Sequence, residues 1–127
     1  MNALRRPAPW FGAFAVWFGV LWWLSSGVPD FPETLQFRSS DKILHIGYFF
    51  GGAGLLSAGL FLRHPDAPAR KRIVVSVVAL TLVGILDEFH QSFVPGRQGN
   101  DPYDLAADII GALLGSFVFQ PFRRFLK

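Results

Sequence analysis

Three stretches of this chain carry side chains able to do chemistry. "DKILHIGY" holds Asp41, Lys42, His45 and Tyr48, "DEFHQSFVPGR" holds Asp87, Glu88, His90, Gln91 and Arg97, and "DLAAD" holds Asp104 and Asp108. An imidazole titrates near pH 6.5, so His45 and His90 suit proton transfer. Asp87 and Glu88 can orient those rings or bind a cation, which makes these four the catalytic candidates. Lys42 and Arg97 can clamp an anionic phosphate, and a planar guanidinium suits bidentate contact. Tyr48, Gln91, Asp104 and Asp108 complete the substrate-binding set, and together these groups suffice for hydrolysis or group transfer. Two histidines with several carboxylates can also hold a divalent cation. No H-E-x-x-H or similar ligand spacing marks such a site, so the metal is left open and no other cofactor is evident.

Spacing groups these residues further. Asp41, His45 and Tyr48 are four and three residues apart, as are Asp87, Gln91 and His90 within their own stretch, so each set shares a helical face. Glu88 and His90 lie on different sides of a helix, which calls for a broad polar cavity. Asp104, Asp108, Gly111 and Gly115 form one stripe, polar at one end and glycine further along. The small-xxx-small pattern of "GALLG" lets helices approach closely, and "GYFFG", Gly47 to Gly51, offers a second such pattern. Each polar group also has a plainer role. Asp41 and Asp104 can cap helix starts, Lys42 and Arg97 can snorkel to an interface, and Tyr48 can serve as an aromatic anchor. His64, in "RHPDAPARK", reads as a solvated loop residue.

The elements that must position these groups are apolar. Of 127 residues, 51% are hydrophobic and only 17% charged, against about 25% charged in a soluble domain, and the mean hydropathy is +0.35. Four segments, about 9–27, 43–62, 73–91 and 104–119, approach the length needed to cross a bilayer, about 20 helical residues. The third has 14 uncharged residues, Ile73 to Leu86, so its polar end must lie at the interface or within a bundle. The expected fold is all-α: an integral membrane four-helix bundle forming a single domain, 1–127. The first segment also resembles a signal peptide, but "WWLSSGVP" is a poor cleavage site and Trp17, Trp22 and Trp23 are bulky, so it is read as a true span. There are no cysteines, which excludes disulfides and thiolate metal sites.

Charge placement sets the expected orientation. Nine of the twelve basic residues lie before span one, between spans two and three, or after span four; Arg38, Lys42 and Arg97 are the other three. Both termini are therefore expected in the cytoplasm (N-in/C-in), in a multi-pass protein of a bacterial cell membrane whose polar site faces outside. The basic residues flank apolar runs and form no stripe, which argues against nucleic acid. In the loop "VPGRQGN", Pro95 and Gly96 predict a tight turn that aims Arg97 at the carboxylates or at a bound anion.

"DKILHIGYF" followed by "LDEFHQSFVPGRQGNDPYDLAADIIGALLG" resembles the VanZ-like family of small polytopic membrane proteins. Asp41, Lys42 and His45 match its D-K-x-x-H element, and Asp87, Glu88, His90, Gln91, Pro95, Gly96 and Arg97 match D-E-x-H-Q-x-x-x-P-G-R without a gap. Asp104 and Gly111 match its last helix, where Asp108 stands in place of the usual Asn. The resemblance covers about residues 41–115; structural roles are expected for Asp41 as a helix cap, Pro95 and Gly96 in the turn, and Gly111 and Gly115 in helix packing. It implies a four-helix membrane protein of the cell envelope, with a family link to antibiotic resistance through the glycopeptide teicoplanin.

Two function classes follow. One is an enzyme, a hydrolase or transferase, acting on a membrane lipid or lipid-linked envelope-precursor headgroup at the outer leaflet. The other is a non-catalytic binding or scaffold protein, a homo-oligomer among its forms, whose polar residues make a structural network. Around the cluster, Asp41, Asp87, Glu88, Asp104 and Asp108 face only Lys42 and Arg97, an excess of three negative charges with neutral histidines. That excess favours a ligand or proton site over inert pairing. The orientation has a direct test: single cysteines at Glu33 and Gly99 are expected to react with an impermeant outside reagent, and one at Ala67 is not. The reverse labelling would invert the bundle.

Overall fold

A computed structural model describes residues 2–27, 40–97 and 99–127 of the chain. Among the described residues the fold is all-helical. Helix α1 runs Pro7–Ser25, α2 Ser40–Arg63, α3 Ala69–Gln91 and α4 Pro102–Phe122, with short 3-10 turns at Ala3–Arg5 and Arg123–Leu126. Each α-helix is long and apolar enough to cross a membrane. The expected helix start at "SSD" falls partly outside the described residues, as do Arg38 and Glu33; α2 is already helical at Ser40.

The ends of the helices follow local chemistry. Pro7 opens α1, where its missing N–H is one that a first turn leaves unbonded anyway. Asp101 caps α4 by accepting from the Tyr103 N–H at 2.8 Å, and Pro102 follows as the first helical residue. The capping role considered for Asp104 therefore belongs to Asp101. The last helix also runs past Pro121 instead of ending near Phe119. A proline so close to the C-terminus costs one hydrogen bond of the final turn, and the chain then tightens into the 3-10 turn.

The distribution of polarity is that of a bundle in hydrocarbon. Val16, Trp23, Val74, Leu82, Ile85 and Phe117 project outward, while Asp87, Asp108, Ser57, Ser76 and Ser116 are buried. In water so much exposed apolar surface would drive association; in lipid it is the solvated face. Ser57 and Ser76 bond to each other at 3.2 Å in the middle of the α2–α3 contact. At the end of the bundle where α2 meets α3, Arg72 is buried beneath the connecting loop. It donates to the carbonyls of Ala67 and, at 3.4 Å, His64, and stacks on Phe61. The His64 side chain is exposed, as the sequence indicated.

Helices α2 and α4 form the most extensive contact in the bundle. A side chain at Gly111 would strike the Ile46 carbonyl, and one at Gly115 would strike the Phe50 carbonyl and the Ala53 methyl. The "GALLG" pattern thus marks a true close approach. The "GYFFG" pattern does not, because both Gly47 and Gly51 have open space where a side chain would go. On α2 it is Gly52 and Gly59 that make room, for Trp17 and Phe11 of α1. Forcing an extra carbon into a packed contact costs about 1–3 kcal/mol. In thermal unfolding of the detergent-solubilised protein, Gly111→Ala is therefore expected to lower the midpoint by several degrees, and Gly47→Ala to leave it in place.

Candidate functional site

The polar residues converge at the end of the bundle where α2 begins, α3 ends and α4 begins. Lys42, in the first turn of α2, is the centre of an outer ring. Its ammonium contacts Asp41 at 3.0 Å, Asp101 at 3.3 Å and, in the shortest contact, Asp104. One turn further along α2, His45 links this ring to deeper groups. Its Nε2 lies 3.6 Å from Asp41 and 3.8 Å from Asp104, and its Nδ1 is hydrogen-bonded to Asp108 Oδ1 at 2.6 Å. Asp108 itself is fully buried. Partial burial works against ionisation of Asp101, but the Tyr103 N–H and Lys42 outweigh it and hold that carboxyl below the usual range.

From α3, Glu88 turns toward this cluster while Asp87 turns toward α1. Glu88 Oε2 accepts the Asp101 N–H at 3.1 Å, whereas its Oε1 is buried without a partner among the described residues. Asp87 accepts from the Gln91 amide at 2.8 Å, and the same amide reaches the Ser25 hydroxyl at 3.4 Å. The pairing of Asp87 with Gln91 is the four-residue spacing noted in the sequence.

Other predicted residues sit apart from the cluster. The His90 ring is stacked on Trp22 of α1, centroids 3.8 Å apart and planes within 8°, which separates it from the His45 group. Tyr48 spends its hydroxyl on the Trp17 carbonyl at 2.5 Å, and Trp17 Nε1 returns a bond to the Tyr48 carbonyl at 3.0 Å. The turn at Pro95–Gly96 is present: Gly96 has φ 79° and the Arg97 N–H bonds the Val94 carbonyl at 3.1 Å. Of the two targets expected for Arg97, carboxylates and a bound anion, the first is not engaged among the described residues. Arg97 donates to the Gly27 carbonyl at the end of α1, 3.1 Å away, and makes no ion pair with a carboxylate among the described residues. The terminal carbonyls of a helix are unsatisfied and carry partial negative charge, so they compete for a guanidinium that the short loop brings within reach. Gln98, in the same loop, lies outside the described residues.

Four contributors were not singled out in the sequence. Asp101 binds Lys42 and, through its N–H, Glu88; the Asp-Pro pair before "YDL" was its signal, a cap followed by proline at the first helical position. Ser25 and Trp22 had none, since they matter only through α1 lying against α3. Gly99 is required because a side chain there would collide with the backbone of Glu88 and Ser92, against which the loop folds back, so a reporter cysteine at Gly99 would distort the loop and the outside label is read at Glu33.

Beside the cluster, a cavity of about 240 Å³ opens between α1, α2 and α3. Leu21, Leu24, Leu44 and Phe49 form its apolar wall, and Asp41, His45, Asp87, Gln91 and Arg97 its polar one. Fold and site together define a helical bundle of membrane-span length with a carboxylate–imidazole cluster buried at one end. Comparison with protein-family models, curated proteins and solved structures finds no match.

The geometry separates Glu88 from His90 in a measurable way. Glu88→Gln keeps an acceptor for the Asp101 N–H and removes a charge beside Asp104 and Asp108, so its unfolding midpoint is expected to stay level or rise. His90→Ala loses an aromatic stack of about 0.5–1.5 kcal/mol and is expected to fall modestly. A large drop for Glu88→Gln would instead mean an ion-paired strut, whose loss costs about 3–5 kcal/mol.

Proposed function

We propose that the cluster and its cavity bind an anionic amphiphile, a membrane lipid or a lipid-linked envelope precursor, with the headgroup at the polar wall and the chain along the apolar one. The single observation that carries this reading is the two-sided cavity: its volume is continuous from Leu21, Leu24 and Leu44 to His45 and Arg97. A purely soluble ligand has no use for the first set, and an acyl chain has none for the second. Among the described residues Arg97 pairs with no carboxylate, and its guanidinium suits a phosphate. In this reading the protein is a multi-pass protein of a bacterial cell membrane with the site at its outer face, which the excess of basic residues at the other end supports. The resemblance of Asp41–His45 and Asp87–Arg97 to the VanZ-like motifs supports a role in the cell envelope.

Any chemistry on the headgroup would fall to His45, the imidazole that both borders the cavity and touches a carboxylate. The hydrogen bond between its Nδ1 and Asp108 fixes the ring, so His45 could donate a proton to a leaving oxygen or take one from water. The gathering of Asp41, Asp101 and Asp104 around Lys42 favours a second reading, a scaffold in which that ring is a structural lock.

The binding reading has its own experiment. In native mass spectrometry of the chain released from detergent, one phosphatidylglycerol is expected to stay bound at collision energies that strip phosphatidylcholine. Arg97→Ala and Arg97→Lys should both weaken its retention, because charge alone does not reproduce the guanidinium fork. Leu44→Trp, which fills the apolar wall, should abolish it. Equal retention of both lipids, or indifference to Leu44→Trp, would leave the scaffold reading.

A further inference from the structure

The carboxylates of the cluster are not answered evenly. Asp41, Asp101 and Asp104 share Lys42. Deeper in the bundle, Glu88 and Asp108 have only His45 near them, and no ammonium or guanidinium reaches either among the described residues. His45, Glu88 and Asp108 each present a donor atom, and the three atoms lie within 4.8 Å of one another. Two further facts point to a ligand there. Asp108 Oδ2 and Glu88 Oε1 are both buried and lack a hydrogen-bond partner among the described residues. Asp108 Oδ2 also faces Gly84, where a side-chain carbon would stand 2.8 Å away. Gly84 is one turn before Glu88 on the same face of α3, so the unpartnered oxygen of α4 is directed at the surface of α3 that carries the unpartnered oxygen of Glu88.

We infer that His45, Glu88 and Asp108 form a binding site for one divalent transition cation of the zinc type. One imidazole and two carboxylates make a mixed nitrogen–oxygen set, which suits zinc better than the all-oxygen shells preferred by magnesium and calcium. Three protein ligands leave a fourth position open, as in catalytic zinc sites. Metal–ligand bonds of about 2.0–2.2 Å bring tetrahedral donors to roughly 3.5 Å apart, a closure of about 1 Å that side-chain rotation supplies. Binding replaces the His45–Asp108 hydrogen bond with a bond from each residue to the cation. Asp104 and Asp41, at Nε2 of the same ring, then orient the imidazole from outside. The outer trio of Asp41, His45 and Asp104 is also close enough to hold an ion, but Lys42 already contacts both of its carboxylates. Of the three ligands His45 also borders the cavity while Glu88 and Asp108 do not, so the cation site adjoins the proposed amphiphile site through that ring and stands on its own donor atoms.

The test uses the whole detergent-solubilised chain, stripped with a chelator and titrated with Zn2+ alone in calorimetry. One Zn2+ per chain is expected, not displaced by a hundredfold excess of Mg2+. Asp108→Asn and Glu88→Gln should each weaken it at least about tenfold, a loss that even outer-shell partners of metal sites can cause. Asp66→Asn, in the exposed loop at the far end, should bind as the parent does. Zn2+ should raise the unfolding midpoint of the parent and not of the two site variants. Should Asp108→Asn fail to fold, Glu88→Gln carries the same comparison. Absence of saturable Zn2+ binding, displacement by Mg2+, or equal affinity in a folded site variant would overturn the cation site. Lipid retention by the metal-stripped chain is read separately. Retention without zinc binding sinks the cation and spares the amphiphile reading, and zinc binding without lipid retention does the reverse.

Discussion

Asp108 has no surface exposed, and the bundle around it turns hydrocarbon outward, so any charge it carries must be answered inside the protein. A carboxylate at such depth is costly unless it is hydrogen-bonded and paired. Its first answer is His45, and the contact exists because of glycine. Gly111 lies one turn after Asp108 on α4, and it seats against the carbonyl of Ile46, the residue after His45. The backbone approach of α2 to α4 and the 2.6 Å imidazole–carboxylate bond are thus two aspects of one packing decision. Widening the helix contact would part the pair.

Around that contact the charges divide into two layers. The outer one has a cation of its own in Lys42. The inner one, Glu88 with Asp108, has an imidazole and two buried oxygens without partners among the described residues. Buried polar groups in folded proteins nearly always find partners. Asp108 Oδ2 is turned toward α3 at Gly84, the arrangement that the proposed cation site would use. The surrounding structure is correspondingly firm: the Asp101 N–H holds Glu88 from the loop, and Asp101 also caps α4 and touches Lys42. One residue therefore ties the loop, the helix start and both layers together.

Helix α1 adds little charge but much shape. Its aromatic residues take up partners that would otherwise face lipid: Trp17 exchanges hydrogen bonds with Tyr48, and Trp22 covers His90. Its last turn offers Ser25 to Gln91 and the Gly27 carbonyl to Arg97. These contacts leave the apolar wall formed by Leu21 and Leu24 open beside the polar one. The cavity is two-sided because α1 meets the cluster with leucines on one flank and backbone acceptors at its end.

Much of this was legible in one dimension. Hydropathy runs of span length, charges confined to their ends, and the "GALLG" spacing determine four helices, their mutual approach and the gathering of polar groups at one end. They act through local periodicity and through the cost of placing charge in lipid, both of which a sequence displays. The tight turn at Pro95–Gly96 was legible for the same reason, since φ preferences are local. Tertiary structure alone decided which polar residues meet. Neighbours in sequence diverge, Asp87 toward α1 and Glu88 toward α4, because a helix turns about 100° per residue and different helices lie on either side. The His90 ring is stacked on an indole of α1, and the Arg97 guanidinium bonds the carbonyl at the end of α1. Pairing of that kind depends on the distances between helices, and no spacing along one chain segment encodes them.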